Sequence, residues 1–126
     1  MKKITILLVE DDAYLSEIYT RHFSRHKWQT KIVKNFSEAD KKIKRSLPEV
    51  VVADIALEEK VGLNWLKNFR QTEATSKIPV IVMTGLSDRA SIKEALQAGV
   101  NGYFLKSQTT PHELAEKISI LIKPIS

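Results

Sequence analysis

The sequence predicts an α/β protein, a (βα)5 chain folded as an open, doubly wound parallel sheet, and three observations lead there. Five short runs rich in apolar and β-branched residues alternate with longer amphipathic stretches. Several of these runs are nearly continuous in apolar residues rather than alternating, as strands are when helices cover both faces of a sheet. Acidic, hydroxyl and ammonium side chains stand directly after the runs, at the edge where open α/β sheets build their binding sites.

The first strand is expected over residues 4–9, where Ile-Thr-Ile-Leu-Leu-Val leads into Glu10, Asp11 and Asp12. Leu15, Ile18 and Phe23 then approximate the spacing of a helix face. The second strand falls at residues 30–33. Its helix carries Ala39 and Ile43, with Ser37 and Asp40 at capping-pair spacing. The third strand, residues 50–54, closes on Asp54 and precedes a helix with Leu63, Leu66 and Phe69 inward. The fourth, residues 78–84, closes on Thr84-Gly85. Ser87 precedes a helix bearing Ile92, Ala95 and Leu96, which Gly99 stops in a left-handed turn. The fifth, residues 102–105, runs into Lys106-Ser107. Thr110-Pro-His-Glu113 then combines a capping box with proline at the first helical position, ahead of Leu114, Ile118 and Leu121.

At 126 residues the chain fits one domain, residues 1–126, with no repeat or Gly/Ser linker. The longest apolar runs, such as 6–9 and 80–83, reach four residues, far short of the roughly 20 that span a bilayer, so no membrane insertion is expected. The N-terminus lacks the apolar core and cleavage site of a secretory signal, and a cytoplasmic location is expected. Without cysteine, thiolate metal sites, disulfides and cysteine nucleophiles are excluded, so any metal is held by oxygen or imidazole. The net charge of +5 is regional: residues 1–20 sum to −2, residues 21–45 to +7, and residues 46–126 to zero. That basic segment reads as a solvated surface. No groove-reading motif or aromatic interleaving accompanies it, and nucleic-acid binding is not expected.

If the first and third strands are neighbours, two or three of Glu10, Asp11, Asp12 and Asp54 converge, each pair at ~5 Å repelling by about 3 kcal/mol at an effective dielectric near 20. One lysine does not neutralise such a group. A raised pKa on one acid or a bound divalent cation would, and of the two the cation is expected, since an all-oxygen site keeping several waters suits Mg²⁺. A carboxylate beside Mg²⁺, a hydroxyl and an ammonium has the parts to accept a phosphoryl group. Asp54 attacks, Lys106 and the metal offset equatorial oxygen charge, and Thr84 binds the product. Taken singly, each residue has a plainer role: Glu10 to Asp12 capping the first helix, Asp54 a loop, Thr84 ending a strand, Lys106 at the surface. It is their joint occurrence at successive strand ends that points to chemistry.

The stretches Leu-Leu-Val-Glu10-Asp11-Asp12, Val-Val-Val-Ala-Asp54, Val-Met-Thr84-Gly85 and Ala-Gly-Val-Asn-Gly-Tyr103-Phe-Leu-Lys106 together resemble the receiver domain of two-component response regulators, over residues 4–122. The resemblance implies the flavodoxin-like strand order 2-1-3-4-5. It implies Asp54 as phosphoacceptor, and Glu10, Asp11, Asp54 and the Ala56 carbonyl as holders of Mg²⁺. Thr84 and Lys106 match the hydroxyl and ammonium positions, and Thr84 with Tyr103 forms a switch in which the aromatic turns inward as the threonine moves toward the phosphoryl group. The implied partners are a histidine kinase or histidine phosphotransfer protein, and a downstream protein docking on the fourth helix, fifth strand and fifth helix; a homodimer stays open.

Four positions depart from the family pattern. Ser107 replaces a cis proline after Lys106. Glu58 replaces a proline four residues after Asp54, where Glu58-Glu59 would add repulsion and the loop would be freer or reach toward the acids. Ala56 and Leu86 occupy the positions that tune hydrolysis, and neither orients a water, so self-dephosphorylation is expected to be slow. Ser107 and Glu58 motivate an alternative, a receiver-like adaptor that docks partners without being phosphorylated. A flavin-binding or hydrolase function lacks its Gly-rich loop or nucleophile elbow. Only Lys123-Pro-Ile-Ser126 follow the fifth helix, so output is expected through protein contacts or a domain outside this chain.

Overall fold

Side-chain parity along the strands assigns the two faces of the sheet. Ile6, Leu8, Val50, Val52, Ile81 and Met83 belong to one buried cluster, and their alternates Leu7, Val9, Val51, Ala53, Val80 and Val82 to the other. This is why the runs read as continuously apolar: both parities are buried. In the computed structural model, which describes residues 3–122, the elements are β1 (Thr5–Val9), α1 (Ala13–Ser24), β2 (Gln29–Val33), α2 (Phe36–Arg45), β3 (Val50–Ala53), α3 (Glu59–Gln71), β4 (Val80–Thr84), α4 (Arg89–Gln97), β5 (Gly102–Leu105) and α5 (Pro111–Ile122). Residues 1–2 and 123–126, on which the leader and tail readings rested, lie outside the described residues, as does the Glu59 side chain with its predicted repulsion.

All strand pairings are parallel, in the order β2-β1-β3-β4-β5. The (βα)5 doubly wound sheet and its predicted order are therefore observed. One layer contains α1 and α5, with Tyr19, Phe23, Leu114 and Ile118 buried on it. The other contains α2, α3 and α4, with Phe36, Trp65, Leu66, Phe69 and Ala95 buried.

The predicted boundaries hold within two residues, and the exceptions have local causes. β4 starts at Val80 rather than residue 78 because Pro79 has no amide to donate to a ladder. The α2 cap is corrected. Asn35, not Ser37, accepts the Glu38 amide at 2.8 Å, and Glu38 reaches back to the Lys34 amide at 3.2 Å. Asp40 instead accepts the Trp65 indole N–H at 2.7 Å. Asp88, one residue past Ser87, caps α4 through the Ser91 amide. The Thr110–Glu113 box forms as expected, with reciprocal bonds of 2.9 and 3.1 Å, and Gly99 adopts φ 92°. The buried stripe of α1 is Ser16, Tyr19 and Phe23, about one residue round from the one predicted, with Leu15 partly buried beside it.

A clamp that sequence reasoning missed closes the end of the sheet away from these carboxyl edges. From α3, the Arg70 guanidinium donates to the carbonyls of Ser76 (2.6 Å), Ile78 (2.9 Å) and Gly99 (2.9 and 3.2 Å) and to Asn101 Oδ1 (3.1 Å). Asn101 Oδ1 also accepts the Val80 amide at 2.8 Å. Burial lowers the Arg70 pKa, and neutral carbonyls rather than a carboxylate hold the cation.

Candidate functional site

Register delivers the acids to one place. Val9 pairs with Ala53, so the next residues, Glu10 and Asp54, emerge side by side at the carboxyl edge. By the two-residue period both continue the parity of Leu8 and Val52, toward α1 and α5. Thr84 pairs with Leu105, which places Lys106 one residue beyond with the parity of Phe104, a member of the same α1/α5 cluster.

The side chains meet accordingly. Lys106 Nζ lies 2.6 Å from Glu10 Oε1 and 2.6 Å from Asp54 Oδ2, so one ammonium bridges both carboxylates. Glu10 and Asp54 are only 3% and 6% exposed, and paired charges of this kind are short and strong because little water competes. Each acid spends its other oxygen on backbone: the Asp12 amide donates to Glu10 Oε2 at 3.2 Å and the Ala56 amide to Asp54 Oδ1 at 2.8 Å. Burial acts most strongly on Lys106 and pulls its pKa down. The hydrogen bonds and charges of Asp54 and Glu10 outweigh it, and the net direction is upward. The tyrosine Tyr19, buried on α1 beneath this group, has its pKa raised chiefly by burial, with Lys106, Glu10 and Asp54 all within electrostatic reach.

The remaining predicted residues divide. Asp11 is exposed and makes no side-chain hydrogen bond or ion pair among the described residues. Asp12 caps α1 through the Leu15 amide at 3.1 Å, the plainer of its two readings. Two carboxylates converge, the smaller of the two expected numbers, and a single lysine bridges them without balancing both charges. Among the described residues no group of three or more acids or histidines is close enough to hold a metal by itself. Ala56 lies in the 3-10 turn Ile55–Glu58 that follows Asp54. Gly62 keeps this turn close to α3, since a Cβ there would stand 2.8 Å from the Ile55 carbonyl oxygen.

Thr84 and Tyr103 sit on the opposite parity, toward α4. Thr84 is fully buried and its hydroxyl accepts the Leu86 amide at 3.4 Å. Tyr103 is partly buried against the α2/α3/α4 cluster and donates to the Leu86 carbonyl at 2.7 Å. Its pKa is raised, first by burial and then by the negative charges of Asp88 and Asp54. The Leu86 backbone therefore joins the two, a link that no side-chain motif could reveal. Glu58 reaches not toward the acids but to the first amide of α2, accepting from Phe36 N at 3.3 Å. No cis peptide occurs among the described residues; the Lys106–Ser107 bond is trans and begins a 3-10 turn, Lys106–Gln108.

A parallel sheet of this order with an acid pair and a lysine at its carboxyl edge defines a class of signalling domain. Residues 6–119 match the family model of the response regulator receiver domain, and the chain belongs to that family. It is similar to the DNA-binding response regulator MtrA of Mycobacterium tuberculosis, 26% identical over 113 residues, covering 90% of this chain and 48% of that one. Among solved structures, a CheY-like receiver domain protein from Methanospirillum hungatei superposes with TM-score 0.86 at 22% identity, covering 96% of this chain and 94% of that one. The Mn(2+)-bound form of response regulator Rcp1 superposes with TM-score 0.83 at 21% identity, covering 98% and 97%. The chain spans about half the length, or less, of the curated relatives it matches. Among the described residues no helix is long and apolar enough to cross a membrane.

Proposed function

We propose that the chain accepts a phosphoryl group on Asp54 from a phosphohistidine donor, a histidine kinase or a histidine phosphotransfer protein, and thereby switches a protein-docking surface. The observation that carries this reading is the Lys106 ammonium held at 2.6 Å from the Asp54 carboxylate in a buried acidic edge. An ammonium so placed offsets charge on an incoming phosphoryl group as Asp54 attacks phosphorus in line and the donor nitrogen leaves.

The donor chemistry fits a hard cation. Glu10 and Asp54 offer buried carboxylate oxygens, exposed Asp11 lies next in the chain to Glu10, and Ala56 offers a carbonyl two residues after Asp54. Mg²⁺ held by these four would supply charge neutralisation at the transferring oxygens. Because Lys106 engages Glu10 as well as Asp54, a cation on Glu10 competes with the lysine for that oxygen.

Output follows from the Leu86 link. Phosphorylation adds acceptor oxygens at Asp54, the Thr84 hydroxyl turns toward them and releases the Leu86 amide, and the loop carrying Leu86 is freed to move with Tyr103. The surface it reshapes is already grooved: Ile92, Leu96, Tyr103, Phe104 and Leu105 line a depression of about 500 Å³ between α4, β5 and the start of α5, with Leu96 55% exposed. Incubation with acetyl phosphate and Mg²⁺ tests the reading. A mass gain of one phosphoryl group, abolished in Asp54→Asn, is expected. Its absence in the unaltered protein would leave the adaptor function that docks partners without phosphorylation.

A further inference from the structure

We infer that the groove between α2 and α3 docks an acidic protein segment bearing an apolar side chain, independently of phosphorylation. The groove measures about 280 Å³; Ile43, Trp65 and Phe69 form its apolar lining, and Lys44 and Asp40 line it as well. Trp65 and Phe69 stack at 4.8 Å between ring centroids, so the floor is rigid. Lys41 and Arg45 share the exposed surface of α2 with Lys44, and Leu47, 45% exposed, stands just past its end.

The segment that ends in α2 is strongly basic. Residues 21–45 hold nine lysines and arginines against two acids. Both acids are already engaged: Glu38 serves the backbone of Lys34, and Asp40 the Trp65 indole. Among the described residues, the only cation of the segment in an ion pair is Arg21, with Glu17. Lys41, Lys44 and Arg45 make none. A cleft with an apolar floor, on a helix whose exposed Lys41, Lys44 and Arg45 have no ion-pair partner, is complementary to carboxylates flanking a hydrophobic anchor. A nucleic acid fits less well, because the aromatic rings are the buried floor of the cleft and are not presented as a stacking platform.

Position separates this surface from the switch. α2 packs over β1 and β2, on the far side of α3 from α4 and β5. A partner seated there leaves Asp54, Lys106 and the Tyr103 face open, so binding does not depend on the state of Asp54.

The probe is a fluorescently labelled synthetic peptide of aspartates and glutamates around a central leucine, titrated with the full chain by anisotropy. Saturable binding that weakens with salt is expected. It should fall tenfold or more for the double variant Lys41→Glu, Lys44→Glu, and weaken when serine replaces the peptide leucine. Acetyl phosphate with Mg²⁺ should leave it unchanged. Should the reversal disturb folding by circular dichroism, Lys41→Gln with Lys44→Gln replaces it, with a smaller loss expected. No saturable binding, equal binding by the folded variant, or tighter binding of a duplex DNA of matched charge would each overturn the inference. Asp54 labelling in the same variant is expected to be unimpaired, so failure here and failure of the phosphoacceptor reading are separately visible.

Discussion

Replacing Lys106 by methionine keeps the length of the side chain and removes the only cation bridging Glu10 and Asp54. Both bridged oxygens lie 2.6 Å from one nitrogen, so they are at most ~5 Å apart. At an effective dielectric near 20, two unit charges at that separation repel by about 3 kcal/mol. The same magnitude follows from the usual cost, about 3–5 kcal/mol, of stranding one side of a buried ion pair. Urea unfolding at pH 7 without divalent metal should therefore show Lys106→Met less stable by roughly 3 kcal/mol. Mg²⁺ should then stabilise the variant more than the unaltered protein, because it no longer competes with an ammonium for Glu10. The pH dependence has a definite sign. The folded pKa of Lys106 is raised above its ordinary 10.5, so its contribution is complete below that value and is lost as pH climbs through the higher folded value. The variant lacks this alkaline decline. A variant within about 0.5 kcal/mol of the unaltered protein at pH 7, outside the range of any buried-pair loss, would refute the reasoning. So would a smaller response to Mg²⁺.

The other expectations concern the loops around this edge. With Ala56 and Leu86 unable to orient water, phospho-Asp54 should persist for many minutes or longer in Mg²⁺; a lifetime of seconds, read by phosphate release, would contradict this. Tyr103→Phe removes the 2.7 Å bond to the Leu86 carbonyl, and should cost about 1 kcal/mol of stability while leaving the rate of Asp54 labelling intact; impaired labelling would place the phenol in the chemistry instead. Gly62→Ala drives a Cβ to 2.8 Å from the Ile55 oxygen and should destabilise by about 1–3 kcal/mol, seen as a lower urea midpoint. Arg70→Met strips the hydrogen bonds from three carbonyls and should cost about 2–3 kcal/mol, with faster amide exchange at Val80 and Asn101 as its local signature.

What the sequence made legible follows from periodicity. Strand runs with both parities apolar could only be sheet interiors, and residues closing them had to fall on one edge, so Glu10, Asp54, Thr84 and Lys106 were found together. What stayed hidden involves contacts that no local spacing encodes. Asn35–Glu38 and Ser37–Asp40 offer the same capping interval, and the choice is made by Trp65, 25 residues from Asp40, whose indole takes that carboxylate while Phe36 packs on its ring at 5.1 Å. Arg70 went unremarked, since its partners are carbonyls that no spacing marks. Which of the acids after β1 would turn away from Asp54 stayed open, because no period fixes where Asp11 and Asp12 point once the strand has ended. Tyr19 was missed because the α1 stripe is rotated by about one residue, and its apolar character suits either register.

The two-residue period also divides the labour of this edge. Glu10, Asp54 and Lys106 share the parity that faces α1 and α5; Thr84 and Tyr103 share the one that faces α4. A rearrangement at Asp54 would therefore reach Tyr103 by passing around the end of β4, where the Leu86 backbone joins Thr84 to Tyr103. Its two bonds are unequal: the amide is held by Thr84 at 3.4 Å and the carbonyl by Tyr103 at 2.7 Å. Turning the Thr84 hydroxyl toward a phosphoryl group would give up the long bond and keep the short one, since hydrogen bonds weaken steeply toward 3.5 Å. Leu86 and Tyr103 would then move as a unit, and the α4 side would respond through a loop whose Gly85 borders open space. On that geometry the proposed switch costs little because its weakest contact lies between the site that receives the charge and the pair that reports it.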